Sequence, residues 1–100
     1  MSHCHNKFIT HRDIKPENIL INDAGVAKLV DFGFSTFLPN EKKKKIFCGT
    51  PSFMAPEILL KREHSGPPSD IWSLGIMLYM MLAGRVPFKG KNEKDLERKI

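Results

Sequence analysis

A mainly α-helical fold with one small β-hairpin is what these 100 residues predict, and the chain reads as a piece of a larger domain. Three observations carry that expectation. The stretch IWSLGIMLYMMLAG, Ile71 to Gly84, leaves a helix with no polar face, and such a helix needs cover on every side. Asn18 to Ile21 and Val26 to Val30 are two short strand-like runs joined by Asn22-Asp23-Ala24-Gly25, a hairpin signal with Gly at the turn. The remaining residues offer too few partner helices to surround the long one.

In chain order, Phe8 to Thr10 reads as a short extended piece, followed by the hairpin. Asp31 to Pro56 carries Gly33, Pro39, Gly49 and Pro51 and no sustained period, and a loop this long in a compact domain is usually functional or disordered. Pro56 and Glu57 open a short helix, because proline is tolerated in a first turn. Ser65-Gly66-Pro67-Pro68-Ser69 reads as a turn, with Asp70 as N-cap of the long helix. A membrane span takes about 20 apolar residues, more than lie between Asp70 and Arg85, so residues 70–84 are expected to form a central core helix. A further helix runs from about Asn92 to Ile100.

The apolar fraction of 41% suits a globular chain. Cys4 and Cys48 have no metal-like spacing and suggest no disulfide framework, so a reducing, intracellular and chiefly cytoplasmic setting is expected, with the nucleus also open. The start MSHCHNKF has no apolar signal region. Of the net charge of +5, four units come from Lys42 to Lys45, and no aromatics are interleaved there to stack bases. Neither nucleic acid nor a membrane is therefore an expected partner. His3, Cys4, His5 and His11 tempt a metal reading, but adjacent His-Cys-His cannot all turn to one ion without distortion.

The chemistry concentrates in HRDIKPENILI, His11 to Ile21, where charged residues crowd against an aliphatic run. Such groups are costly beside a buried strand unless paired, solvated or used. DFG follows at Asp31 to Gly33, then GTPSFMAPE at Gly49 to Glu57 and DIWSLG at Asp70 to Gly75. In this order and spacing, the set resembles the second half of a eukaryotic protein kinase domain. The resemblance covers nearly the whole chain. It implies a partial C-terminal lobe with a catalytic loop at 11–18 and an activation segment at 31–57. The Gly-rich loop, strand lysine and partner glutamate of the N-terminal lobe, and the last helices of the C-terminal lobe, have no counterpart in these residues.

The same resemblance assigns roles. Asp13 would be the catalytic base and Lys15 the contact to the γ-phosphate of ATP, with lysine two places after Asp13 pointing to serine/threonine kinases. Asn18 and Asp31 would hold Mg2+, and Leu20 would lie under the adenine, supported by Met77 and Met81. Thr50 would bond near the catalytic aspartate. His11, Phe32 and Asp70 would form a packed column behind the site, with Asp70 also bonding the catalytic-loop backbone and Gly33 completing DFG. Glu57 would pair with an arginine further along than Ile100.

Arg12 would normally meet a phosphate two residues before Cys48. That position is Ile46, which has no hydroxyl, so Glu41 is the expected partner instead; Ser35 and Thr36 are hydroxyls close to DFG. DFGFS, FCGTPSFMAPE and AGRVPF resemble the calmodulin-dependent and AMP-activated-like group. Glu17 favours basic residues near the phosphoacceptor of a protein substrate, while Met80 stands where some relatives place a second acid. The implied function is ATP-dependent transfer of a phosphoryl group to protein Ser/Thr hydroxyls, inactive in these 100 residues alone. The alternatives are an inert, pseudokinase-like interaction fragment and a basic module built on the lysine run.

Overall fold

The computed structural model describes residues 1–39, 43 and 45–100. Helices dominate its regular structure: α1 (Ser2–Asn6), α2 (Pro56–Leu59), α3 (Gly66–Ala83) and α4 (Glu93–Lys99). The strands are short and form two separate antiparallel ladders. One is the expected hairpin, β2 (Ile19–Ile21) with β3 (Ala27–Leu29), in the register Ile19↔Leu29, Leu20↔Lys28 and Ile21↔Ala27. Its turn is closed by Asn22, whose Oδ1 accepts from the N–H groups of Ala24 and Val26. Gly25 takes the left-handed φ of 77° that the turn requires.

The second ladder was not foreseen. Strand β1 (Ile9–Thr10) pairs with β4 (Thr36–Phe37), aligning Ile9 with Phe37 and Thr10 with Thr36. Two-residue strands separated by the loop at 11–18 and a hairpin leave no period in the sequence. Their pairing is decided by tertiary approach, and the Leu38 N–H donating to the Phe8 carbonyl at 2.9 Å extends it.

Helix α3 corrects the sequence reading twice. It starts four residues early, at Gly66, with Ser65 as N-cap, so the turn-like Gly66-Pro67-Pro68-Ser69 is its first turn. Proline needs no hydrogen bond for its missing N–H there. Gly66 is needed because β1 crosses this turn: a Cβ would collide with the Thr10 side chain, approaching its Cβ to 2.6 Å. The helix ends on Gly84 at φ 71°, a left-handed C-cap.

The second correction concerns its faces. The residues of α3 buried by this chain are Gly66, Ser69, Asp70, Ser73 and Ile76, one helical stripe that is mostly small or polar. Ser73 Oγ donates to the Phe53 carbonyl at 2.8 Å and to the Ser69 carbonyl at 3.1 Å. The large apolar side chains lie on the uncovered side instead: Ile71, Leu78, Met81 at 65% and Leu82 at 82% exposed. A core helix buried on every side is therefore not what these residues form among themselves. The main apolar cluster lies to one side, where Met54, Ile58 and Leu59 meet Leu96 of α4, with Phe88 and Ile100 packed against them. Phe88 is also stacked on Trp72, ring centroids 6.1 Å apart and planes 15° apart. Among the described residues no helix is long and apolar enough to cross a membrane.

An apolar face of this size drives association, since each Å² of apolar surface left in water forgoes about 25 cal/mol. Expressed alone, the 100 residues should bind hydrophobic dyes and elute from a sizing column as aggregates. A monodisperse monomer with a sharp cooperative melt would contradict this.

Candidate active site

The site is assembled around a carboxylate that α3 carries into the interior. Asp70 is 0% exposed and accepts three hydrogen bonds. Its Oδ2 takes the His11 N–H at 2.9 Å and His5 Nε2 at 2.8 Å, and its Oδ1 takes the Arg12 N–H at 2.9 Å. These bonds occupy it as a clamp on the backbone at His11 and Arg12, so it is not the N-cap that its position before an apolar run suggests. They also explain how Arg12 holds a left-handed φ of 68°, which is unfavourable for a residue with a Cβ and persists only where its surroundings fix it.

His11, also fully buried, ties the loop to the next segment. Its Nδ1 accepts from the Asp13 N–H at 3.2 Å, so Nε2 carries the hydrogen and donates to the Val30 carbonyl at 3.0 Å. Its ring meets Phe32 edge to face at 4.8 Å. This packing leaves Phe32 itself 44% exposed.

Asp13, 6% exposed, is the centre of a closed polar set. Its Oδ1 accepts from Thr50 Oγ1 at 2.9 Å, and its Oδ2 accepts from Asn18 Nδ2 at 3.2 Å and pairs with Lys15 Nζ at 3.2 Å. Lys15 Nζ also donates to Thr50 Oγ1 at 3.0 Å. Thr50 and Asp13, 37 positions apart, are thereby joined through one carboxylate. Gly49 makes the approach possible: it sits at φ 115°, and a Cβ there would stand 2.7 Å from the Arg12 carbonyl oxygen. The neighbouring Cys48 thiol is pushed up from its ordinary pKa by burial, against the pull of Arg12.

Asn18 closes the 3₁₀ turn Pro16–Asn18 and is buried. Its amide donates to both the Asp13 carbonyl, at 2.8 Å, and the Asp13 carboxylate. Among the described residues its Oδ1 has no hydrogen-bond partner. The Val30 N–H donates to the Asn18 carbonyl at 2.9 Å, so the hairpin returns Asp31 beside Asn18. Asp31 is exposed at φ 58°, and its Oδ1 accepts from the Gly33 N–H at 3.1 Å while Oδ2 has no partner among the described residues. Asn18 Oδ1 and the Asp31 carboxylate are oxygen donors of the kind a hard cation takes. No cluster of three or more His, Cys, Asp or Glu suited to a metal occurs among the described residues.

Other singled-out residues are placed as follows. Leu20 is 57% exposed on β2, and Met77 is half-buried on α3. Glu17 is exposed on the turn that carries Asn18. Glu57, half-buried on α2, makes no ion pair among the described residues. Arg12 Nε donates to the Phe34 carbonyl at 2.5 Å, while its buried Nη1 has no partner among them. The expected partner Glu41 lies outside the described residues. Sequence reasoning missed His5 as a support of Asp70, and it missed Gly49 and Gly66. The glycines stand in the quoted strings, but only the crossing backbones reveal why no side chain is tolerated.

The site is thus a buried carboxylate engaged by a lysine, a threonine and an amide. The protein kinase domain family matches residues 1–100, and the chain belongs to that family. Sperm motility kinase 2B of Mus musculus is 46% identical over 100 residues, covering all of this chain and 21% of the relative. CBL-interacting protein kinase 21 of Oryza sativa subsp. japonica is 46% identical over 103 residues, again covering the whole chain and 20% of the relative. The probable serine/threonine-protein kinase MARK-A of Dictyostelium discoideum is 40% identical over 100 residues, 9% of its length. The chain thus spans about a fifth of the length of the mouse and rice kinases.

Asp70→Asn should be the costliest single-atom change in the site. The amide keeps one acceptor oxygen and turns donors toward N–H groups, and hydrogen bonds to charged groups contribute about 1.5–3 kcal/mol each. In the full-length protein that carries this chain, a fall in the urea midpoint corresponding to at least about 2 kcal/mol is expected, against almost none for Asp23→Asn in the exposed hairpin turn. Equal midpoints for the two variants would remove Asp70 as the anchor of the loop.

Proposed function

We propose that the chain is the catalytic-loop and activation-segment part of the C-terminal lobe of a serine/threonine protein kinase, which transfers the γ-phosphoryl group of ATP to a protein hydroxyl. The observation that carries this is the set around Asp13, in which Thr50, Lys15 and Asn18 each engage the same buried carboxylate.

In this reading Asp13 orients the substrate hydroxyl and accepts its proton as the oxygen attacks phosphorus. Thr50 fixes the carboxylate, so little reorganisation is left for the reaction itself. Lys15 meets charge on the transferring group. Asn18 Oδ1 and the Asp31 carboxylate would hold Mg2+, which when bound offsets negative charge on the ATP phosphates. Leu20, with Met77 and Met81 behind it, supplies an apolar floor for the adenine. Arg12 Nη1, buried without a partner among the described residues, awaits an anion. Ile46 cannot carry a phosphate, so a carboxylate of the activation segment is the reading favoured here, with catalysis independent of phosphate at that position. The uncovered apolar face of α3 is the surface on which the rest of such a domain packs, and these residues alone are expected to be inactive.

In a kinase domain that contains this chain, Asp13→Asn should lower single-turnover phosphoryl transfer by about a hundredfold or more, with nucleotide affinity nearly unchanged. Unchanged transfer would remove Asp13 from the role of base. Asp31→Ala should weaken Mg2+-dependent nucleotide binding more than Asn18→Ala, because a carboxylate brings full charge to the ion and an amide only a dipole. Titrating nucleotide at several Mg2+ concentrations measures both, and equal losses would count against the assignment.

A further inference from the structure

The charge of this chain is not confined to its lysine run. Between Arg85 and Lys99 there are six basic residues and three acidic ones. Three of the basic residues, Arg85, Lys89 and Lys99, line a groove of about 740 Å³ together with Ser52, Met80 and Phe88.

We infer that the protein substrate carries an acidic side chain close to its phosphoacceptor and seats it in this groove; the inference rests on the kinase reading above. Position is the first argument. Ser52 lies two residues beyond Thr50, whose hydroxyl bonds Asp13, and two residues span at most about 7 Å. An extended peptide advances about 3.3 Å per residue, so a substrate with its hydroxyl at Asp13 places a nearby residue at the mouth of the groove.

Rigidity is the second argument. Phe53, next to Ser52, is fastened to α3 by the bond from Ser73, and Phe88 is fastened by its stack on Trp72. Both walls thus stand on one helix. The stack also occupies a face of Phe88, which counts against a nucleic-acid base as the occupant.

Charge is the third argument. Arg85 and Lys89 are exposed and make no ion pair among the described residues. Lys99 Nζ donates to the Lys89 carbonyl at 2.7 Å and to Asp95 Oδ2 at 3.1 Å. Asp95, the carboxylate in contact with the groove wall, is already engaged by the Lys91 N–H at 2.9 Å, by Lys99, and by Arg98 at 3.7 Å. Met80 adds no charge. The wall therefore presents unneutralised cations beside the hydroxyl site, and a carboxylate completes it. Glu17, exposed on the catalytic-loop turn, serves a basic residue elsewhere in the same substrate, so charges of both signs surround the phosphoacceptor.

The test uses the full-length gene product that carries this chain, and sets of serine peptides with Glu, Gln or Lys at each neighbouring position. Affinity is read by fluorescence anisotropy and phosphorylation as kcat/KM. At one or more positions Glu should exceed Gln by roughly threefold to tenfold in both readouts, since exposed ion pairs contribute modestly. The advantage should shrink at high salt. Arg85→Glu, and separately Lys89→Glu, should abolish or invert it, while Lys94→Glu, on α4 outside the groove wall, should leave it in place. Equal affinity for Glu and Gln at every position, or an advantage that survives Arg85→Glu and Lys89→Glu, would overturn the inference. If no peptide is phosphorylated, the kinase reading fails by itself, and the Glu-to-Gln affinity ratio still decides the groove.

Discussion

The structure depends on one buried carboxylate. Asp70 reaches from the second turn of α3 to the backbone N–H groups of His11 and Arg12 and receives His5 from α1. A carboxylate without partners in such a place would cost several kcal/mol, and three donors repay that cost while defining the geometry. The loop it holds is the one that contains Asp13, and the residue it steadies at a left-handed φ is Arg12, immediately before Asp13. Helix α3 is therefore less a hydrophobic core element for this chain than a rail that carries polar anchors: Asp70 for the loop at His11 and Arg12, Ser73 for the turn at Phe53.

Long-range closure follows from that rail. With the catalytic loop and the Pro51–Phe53 turn both tied to α3, Thr50 and Asp13 are brought to hydrogen-bonding distance although they are far apart in sequence. His11 does the same on the other side, joining the loop to Val30 and Phe32 at the end of the hairpin. These hydrogen bonds and the ring contact leave little freedom for Asp13 to wander. The Asp13 carboxylate is thereby held in one position before anything binds, which is what the proposed phosphoryl transfer would require.

Much of this was legible in the residues. The hairpin was marked by its turn, the short helix by Pro56, the last helix by Asn92, whose side chain caps it through the Asp95 N–H. The site residues stand in contiguous strings whose order pointed to the protein kinase family, and the family match spans those same residues. Less legible was the start of α3, where glycine and two prolines suggested a turn. The second ladder was also hidden, since its strands are two residues long. The basic groove leaves little mark on the net charge, because acids elsewhere in the chain cancel the excess between Arg85 and Lys99 and leave a +5 total close to that of Lys42 to Lys45.

Sequence by itself determined the kinds of chemistry available and the local elements, because caps, turns and motif spacings act over a few residues. Tertiary structure alone decided which groups meet. It set Thr50 on Asp13, placed His5 behind Asp70, required bare backbone at Gly49 and Gly66, and turned the polar stripe of α3 inward while its apolar side chains faced out. Those outcomes rest on close approach between segments distant along the chain, and no local pattern encodes a distance of that kind.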